Sequence, residues 1–343
     1  MNNTNALSTK HSADILKFIM SVFVVATHTS LFAPHLTPVV RLAVPVFFVL
    51  SGYFFFSKVN FLDNIKDKTA YLKKSVKHNL QLYAFWFIVL SPITFYIRDY
   101  FSGSVIKGLL SLLHNFLLGS TFQASWYITA LIFGLIFVFF MSQKYNNFTL
   151  IVIGILVYIP ALLSSNYLFI AIADDRAKEI YTAFSDILLL PCRNVFVSVI
   201  YLVLGKILAE KGQSTKTKDG LISLTCFVLL IVEYLTLYFG KVQIKNTDCF
   251  IMLPFAAYYL CRWVLSFNIK CVCSSVLRKI STMSYCMHMA VYMIVVKIAF
   301  SLDINDFGNI IVFALTLLAT WSLSLVILKL QKLKLFGFLK YSH

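Results

Sequence analysis

The sequence predicts an all-α polytopic membrane protein with about ten transmembrane helices and both termini in the cytoplasm. Hydrophobic residues make up 59% of the 343 residues, charged residues make up 13%, and the mean hydropathy is +0.82. The apolar residues form long stretches, and lysines and arginines are concentrated between alternate pairs of these stretches. A soluble domain of this length shows neither feature.

Ten apolar stretches of roughly 18 or more residues are long enough to cross a bilayer. They are 13–33, 39–56, 79–97, 124–142, 148–165, 186–208, 221–239, 248–267, 283–300 and 309–330. The connecting segments leave no room for a second soluble domain. We therefore expect one transmembrane domain over 13–330, between a cytoplasmic tail at 1–12 and a basic cytoplasmic tail at 331–343. The first stretch carries internal charges and no cleavage pattern follows it, so it is read as a retained helix.

The net charge of +16 is explained by topology. With both termini inside, 19 of the 30 lysines and arginines fall on the cytoplasmic side, six fall outside and five lie within the stretches. This is the positive-inside pattern, so we expect the lipid bilayer as partner and no nucleic acid. The seven cysteines are scattered, and neither a disulfide framework nor a metal site is expected.

The first stretch contains three ionisable residues, Asp14, Lys17 and His28. On a helix turning about 100° per residue, Lys17 and His28 differ by about 20°, and Asp14 lies about 40° from His28. One polar stripe in a transmembrane helix must face protein or water. His28, roughly 16 Å beyond Lys17 along the helix, is a candidate general base because imidazole titrates near neutrality. The alternative is a buried histidine that is hydrogen-bonded between helices.

Two dipeptides are notable in the second and fourth apolar stretches. Ser51-Gly52 breaks an aromatic-rich run and indicates either a close helix contact or a backbone opening beside a substrate. Trp126-Tyr127 begins the fourth stretch, where interfacial aromatic residues are ordinary membrane anchors.

Charged and titratable residues recur in the later stretches. Arg193-Asn194 follows Pro191 too deeply for the arginine to reach the interface easily, so the arginine needs an anionic ligand or a carboxylate partner. Glu233 and Asp248 are the candidates. His288, expected in the cytoplasmic third of the ninth stretch, is a second candidate proton carrier, with a packing histidine as the alternative.

The segment 57–78 is predicted to be a cytoplasmic loop, with six lysines against two aspartates. A solvated loop that contacts anionic headgroups is its simplest interpretation. On the opposite side, the loop 98–123 contains an apolar segment too short to cross, which we expect to lie at the interface or to re-enter the fold.

Five of these patterns occur together, in order, in one family of membrane-bound acyltransferases. A basic residue precedes histidine by eleven positions (Lys17, His28), and "FFxxSG", "WY", "RN" and a serine-aromatic-histidine group follow. The matching residues are Phe47, Phe48, Ser51, Gly52, Trp126, Tyr127, Arg193, Asn194, Ser284, Tyr285 and His288. The chain thus resembles the acyltransferase-3 family over nearly its whole length. Within it, the chain is most similar to the membrane domain of vancomycin-resistance serine racemases, without their racemase domain.

The resemblance implies an inner-membrane O-acyltransferase, most often an O-acetyltransferase. Such enzymes move an acyl group from cytoplasmic acyl-CoA to a hydroxyl of an envelope polysaccharide or lipid-linked glycan. Acetyl-CoA would be the donor substrate, with no permanently bound cofactor and no metal, and homodimer formation is left open. In the catalytic group, His28 would be the general base or a transient acyl carrier, and Asp14 would orient Lys17.

The resemblance also assigns residues to the two substrates. For the donor these are Lys73, Lys74, Lys77, Ser51 and Gly52. For the acceptor they are Trp126, Tyr127, Arg193, Asn194, Glu233 and His288. The three lysines replace an arginine pair of many family members, and lysine meets phosphate without the bidentate fork. A transporter or flippase is the alternative from another class, since buried charges also serve solute and proton paths. In a third class, a non-catalytic assembly or sensor protein, His28 would be dispensable.

Overall fold

The computed structural model describes residues 10–31, 37–101, 103–211, 215–242, 246–302 and 309–343. Within these ranges the chain is helical and contains no β-strand, which confirms the all-α class. The α-helices are α1 His11–His28, α2 Thr37–Val40, α3 Ala43–Val59, α4 Ile65–Ile97, α5 Val105–Leu118, α6 Trp126–Ser142, α7 Asn147–Leu163, α8 Leu168–Ala171, α9 Asp175–Leu188, α10 Val195–Glu210, α11 Lys216–Phe239, α12 Leu253–Leu265, α13 Ser274–Ser301 and α14 Asn309–Leu330. Two 3₁₀ helices span Pro191–Arg193 and Lys334–Ser342.

Six segments are long and apolar enough to cross a bilayer, which indicates a multi-pass membrane protein. They are Thr37–Val59, Ile65–Ile97, Asp175–Glu210, Lys216–Phe239, Ser274–Ser301 and Asn309–Leu330. Each of the ten predicted stretches coincides with helix, but α6 and α7 have 17 residues and α12 has 13. The ten crossings and the cytoplasmic side of the termini therefore stay predictions. Of the predicted N-terminal tail, residues 1–9 lie outside the described part of the chain, and His11 and Ser12 already belong to α1.

Helix α10 is the centre of the bundle, with 11 of its 16 residues buried. It packs against α3, α6, α7 and α12, and its closest approach is to α3. There Gly52 of α3 meets Gly205 of α10: a Cβ on Gly52 would lie 2.9 Å from the carbonyl oxygen of Leu202, too close for any real side chain. Gly52 therefore serves a close helix contact, and its role at a donor site stays a prediction.

Helices α1 and α13 lie side by side and run in the same direction. Ser274 at the start of α13 pairs with His11, and the Ser281 hydroxyl donates to the carbonyl oxygen of Lys17 at 2.9 Å. Because α13 begins at Ser274, nine residues before the predicted stretch, His288 lies at the middle of the helix and beside the end of α1. The side of the membrane toward which His288 lies stays a prediction.

Much of the predicted loop at 57–78 is helix. Asn64 caps α4 by accepting a hydrogen bond from the Asp67 backbone N–H at 2.8 Å, and the helix then continues for 33 residues. On a helix, positions four apart share a face. Lys73 and Lys77 therefore lie on one face of α4, and Lys74 lies on another with His78.

The predicted sixth stretch, 186–208, is broken near its start. Helix α9 ends at Leu188, Leu189 takes a left-handed φ of 57°, and a 3₁₀ turn over Pro191–Arg193 precedes α10. A β-branched or large side chain rarely adopts positive φ, and proline donates no backbone hydrogen bond. The break places Arg193 and Asn194 in irregular backbone between two helices.

The contact between α3 and α10 can be tested by adding one methyl group. We expect Gly52→Ala to lower thermal stability by about 1–3 kcal/mol, the usual result of overpacking a filled interface. Thermal unfolding in detergent measures this, with Gly337→Ala as the matched control because no atom lies within 4 Å of a Cβ added there. Equal melting of the two variants would contradict the role of Gly52 in packing.

Candidate functional site: two cavities separated by aromatic residues

Two cavities of about 530 and 550 Å³ lie on either side of a group of aromatic side chains. The first, called the His28 cavity, is lined by His28, Arg41, Arg98, Trp126, Asp186, Arg193 and Asp248 among others. The second, called the Lys17 cavity, is lined by Lys17, Ser51, Lys74, His78, Tyr127, Arg278, Lys279 and His343 among others. Tyr285 lines both.

The aromatic partition between the cavities consists of Phe47, Phe48, Tyr127 and Tyr285. Between ring centroids, Tyr127 lies 5.0 Å from Tyr285 and 4.5 Å from Phe48. The Tyr285 hydroxyl donates to the carbonyl oxygen of Ala124 at 2.7 Å, and the hydroxyl of Tyr127 pairs with that of Ser51 at 3.3 Å. Both tyrosines are thereby fixed at the boundary.

His28, which lines its cavity, faces a second histidine, His288, that lies behind the cavity wall. The ring centroids of His28 and His288 are 5.0 Å apart, and His288 is fully buried. Nδ1 of His288 lies 3.0 and 2.8 Å from the carbonyl oxygens of Ser284 and Tyr285, which only accept hydrogen bonds, so Nδ1 carries the proton. Nε2 is then an acceptor, and it is buried without a hydrogen-bond partner among the described residues.

The same cavity contains an ionic group of two arginines on one carboxylate. Nε of Arg193 lies 2.7 Å from Oδ2 of Asp248, and Nη1 of Arg41 contacts Oδ1. Arg41 also donates from Nη2 to the Thr247 hydroxyl at 3.1 Å. Of the two carboxylates that the sequence offered to Arg193, the structure pairs it with Asp248.

Glu233 and Asn194 hold the walls instead of lining the cavity. Glu233 accepts hydrogen bonds from the backbone N–H groups of Ile251 and Met252, at 2.6 and 2.8 Å, just before α12. Asn194 caps α10 by accepting from the Phe196 N–H at 3.1 Å, and its amide donates to two carbonyl oxygens at the ends of α5 and α9. Neither is among the residues that line the His28 cavity, and their predicted role toward the acceptor stays a prediction.

The Lys17 cavity is strongly basic. Its cationic residues come from three helices, with Lys17 on α1, Lys74 on α4, and Arg278 and Lys279 on α13, and no aspartate or glutamate is among its described lining residues. Asp14 lies behind this wall and pairs with Arg278 at 3.6 Å, so its ionic partner is not Lys17. Nζ of Lys17 instead lies 5.0 Å from the centroid of the Phe54 ring.

The predicted lysine group is divided by the helix. Lys74 lines the Lys17 cavity, but Lys73 and Lys77 lie in a separate apolar groove between α4 and α6, with Leu72 and Phe140. Lys73 and Lys77 were expected to bind the donor together with Lys17, but they do not line the same cavity as Lys17.

Several residues of the site were not identified from the sequence. Arg278 and Lys279 lay outside the predicted ninth stretch. They precede Thr282 by four and three residues, which is the spacing of neighbours on one helix. His343 enters the Lys17 cavity because Trp86 Nε1 donates to the Ser342 carbonyl oxygen at 3.0 Å. Burial, with Lys279, His78 and Arg278 nearby, lowers the pKa of His343 to about 4, so this imidazole is neutral at pH 7.

No group of three or more histidine, cysteine, aspartate or glutamate residues is placed to hold a metal ion within the described ranges. The donor set of both cavities is instead suited to anions and to proton transfer.

Comparisons with known proteins place this arrangement in a family. Two amino-acid racemases of Enterococcus faecalis are each 24% identical to the chain, one over 75% of the chain and 36% of the racemase, the other over 94% and 47%. The chain thus spans less than half the length of these curated relatives. No solved structure matches. The family model described as an acyltransferase domain matches residues 10–329, and the chain therefore belongs to the acyltransferase-3 family of membrane acyltransferases.

Proposed function

We propose that the protein transfers an acyl group, most often acetyl, from acyl-CoA to a hydroxyl of a cell-envelope polysaccharide or lipid-linked glycan at the inner membrane. The observation that carries the proposal is the pair of cavities that meet at Tyr285. One cavity has the charge to bind a polyphosphate donor, and the other has the histidine pair needed to deprotonate an acceptor hydroxyl.

The Lys17 cavity is the donor site in this proposal. Coenzyme A carries several phosphate charges, and Lys17, Lys74, Arg278 and Lys279 supply cations without a competing carboxylate in the lining. The pantetheine arm is uncharged and suits the aromatic walls that lead from Phe54 toward Tyr127. Along α1 the distance from Lys17 to His28 is roughly 16 Å, at a rise of 1.5 Å per residue. An extended arm covers this distance and brings the thioester to the partition.

The proposed role of the histidine pair is to select which nitrogen of His28 acts as the base. His28 would donate a hydrogen bond from one ring nitrogen to Nε2 of His288, which can only accept and has no partner among the described residues. The other nitrogen of His28 would then be unprotonated and act as the base. His288 is thus proposed as a positioning residue that orients the base, as the carboxylate orients the histidine in a catalytic triad. The 5.0 Å ring separation allows the contact after a small rotation of the His28 ring.

The proposed reaction needs no group beyond the two substrates. His28 accepts the proton of the acceptor hydroxyl, and the oxygen forms a bond to the acyl carbon. The bond between that carbon and the coenzyme A sulfur then breaks, and the departing thiolate takes up the proton from His28. In a variant of this route, His28 carries the acyl group transiently before the acceptor oxygen attacks.

Transport is the second candidate function, because two cavities separated by aromatic side chains also suit a solute path with alternating access. A flippase for a lipid-linked substrate has no use for an acyl donor. Acetyl-CoA binding at the Lys17 cavity separates the two candidates: its complete absence favours transport.

The division of the lysines on α4 gives a sharp test of donor binding. We expect Lys74→Ala to weaken acetyl-CoA binding roughly tenfold, since a charge-assisted contact is worth about 1.5–3 kcal/mol and part of it is screened by water. Lys77→Ala, one turn away on the other face, is the matched control and should bind like the wild type. Calorimetry on the detergent-solubilised chain measures both, and equal effects of the two variants would contradict the placement of the donor.

Substitution of His28 tests its proposed role as the general base in acyl transfer. We expect His28→Ala to reduce transfer of labelled acetyl groups into the cell-envelope fraction by about 10²- to 10⁴-fold, the usual contribution of a general base. Acetyl-CoA binding should be unchanged, because the phosphate contacts lie in the other cavity. Full transfer by this variant would remove His28 from the reaction and favour the non-catalytic reading.

Two substitutions of His288 distinguish a positioning role from a packing role. Glutamine can both accept from His28 and donate to the helix carbonyl groups, so His288→Gln should retain more transfer than His288→Leu, with equal donor binding in both. The pH profile of transfer should shift in His288→Leu because His28 loses its acceptor. Identical rates and profiles for the two variants would indicate a packing role only.

A further inference from the structure

Arg193 uses only part of its hydrogen-bonding capacity. Its backbone N–H donates to the Leu190 carbonyl oxygen at 2.7 Å within the 3₁₀ turn, and its Nε donates to Asp248. An arginine side chain has five N–H donors, and no hydrogen bond from Nη1 or Nη2 of Arg193 to another described residue is found. The side chain is 40% exposed, and it lines the His28 cavity. A fixed guanidinium therefore presents its outer edge to the cavity.

A structural ion pair elsewhere in the chain shows the contrast. Arg262 donates from Nε to Asp219 at 3.1 Å, with the arginine side chain 21% exposed and the carboxylate 2% exposed. That pair has one cation for one anion. Asp248 has Arg41 on Oδ1 and Arg193 on Oδ2. Two cations therefore meet one anion, and one positive charge of this group is not balanced by Asp248.

The His28 cavity also has an excess of positive charge. Three arginines line it, Arg41, Arg98 and Arg193, against the two aspartates Asp186 and Asp248. The Arg98 guanidinium contacts only neutral acceptors among the described residues, including the Tyr100 hydroxyl at 3.0 Å and the Asn115 amide oxygen at 3.3 Å. Positive charge in a partly enclosed cavity is stabilised by an anion that enters it.

We propose that the outer edge of Arg193 binds a carboxylate or phosphate group of the acceptor, so that the acceptor is a hydroxylated anion. His28 and Arg193 line the same cavity. An anionic group held on Arg193 would therefore keep the rest of the acceptor, with its hydroxyl, in the cavity that contains the proposed base. Describing the ligand as the acceptor rests on the proposed function, whereas the anion site itself does not.

The experiment measures anion binding to the full chain in detergent by thermal stabilisation. Potassium phosphate and potassium acetate are titrated against potassium chloride at matched ionic strength. All variants carry Lys74→Ala, which weakens anion binding in the Lys17 cavity. Added Arg193→Gln is compared with added Arg176→Gln, an exposed arginine on α9 that does not line the cavity.

We expect saturable stabilisation by phosphate, acetate or both in the Lys74→Ala protein. Arg193→Gln should weaken it at least tenfold, and Arg176→Gln should leave it unchanged. A response to phosphate alone identifies a phosphate ligand, and a response to acetate alone identifies a carboxylate. D-glucuronate and glucose 1-phosphate, compared with neutral methyl glucoside, extend the same comparison to hydroxylated ligands.

Arg193→Lys covers the case in which Arg193→Gln does not fold. Lysine keeps the charge without the fork, so intermediate binding is expected. Equal responses of the Arg193 and Arg176 variants, or no saturable response in the Lys74→Ala protein, overturn the proposal. Failure of acetyl-CoA binding in the wild type would refute the proposed donor site while leaving the Arg193-dependent anion response in place.

Discussion

The structure depends on one constraint: a charged or polar group inside an apolar bundle must be paired or must face water. Helix α1 carries such groups along one stripe, and α13 contacts α1 at each of these three positions. Arg278 pairs with Asp14, Ser281 bonds the carbonyl oxygen of Lys17, and His288 faces His28. The parallel contact between these two helices follows from this matching of polar positions. By contrast, the 18-residue apolar windows of α11 and α14 are only 22% and 17% buried, as expected of helices that face lipid.

The same constraint separates residues that hold the fold from residues that can act on a ligand. Glu233 bonds two backbone N–H groups and the Tyr167 hydroxyl, Asn194 bonds backbone groups, and Gly52 packs directly against Leu202. Nε2 of His288 and the outer edge of Arg193 have capacity left, and both belong to the surroundings of His28. A buried polar atom without a partner is costly, so it persists where a ligand or a moving side chain can satisfy it.

The helices could be predicted from the sequence because apolar length is itself the signal. All ten stretches contain helix within the described residues, and the polar stripe of α1 correctly indicated an inward face. The lysine-rich start of α4 was assigned to a loop because lysine is a good helix former that does not contribute to hydropathy. For the same reason Lys73 and Lys77 could not be separated from Lys74, since that separation depends on where the helix begins and how it is turned.

The choice between Glu233 and Asp248 as partner of Arg193 was also beyond the sequence, because both are carboxylates at similar distances along the chain. It is decided by the break at Leu189, which turns Arg193 toward the segment before α12. Likewise His343 has no periodic pattern around it, and its position depends on tertiary contacts of Ser342 with Trp86 and Met283. Contacts of this kind arise from tertiary packing and not from local preference.

The aromatic partition limits what can pass between the His28 cavity and the Lys17 cavity. An open path between the two would let water and protons pass through an interior lined by histidine, lysine and arginine, and such a leak is harmful in a membrane. Tyr127 and Tyr285 prevent it by packing against each other and anchoring their hydroxyl groups to Ser51 and Ala124. Under the proposed function, only the narrow end of the donor has to pass this point. A thioester on an uncharged arm meets that requirement, because the phosphates stay with Lys17 and Lys74 while the acyl carbon alone reaches His28.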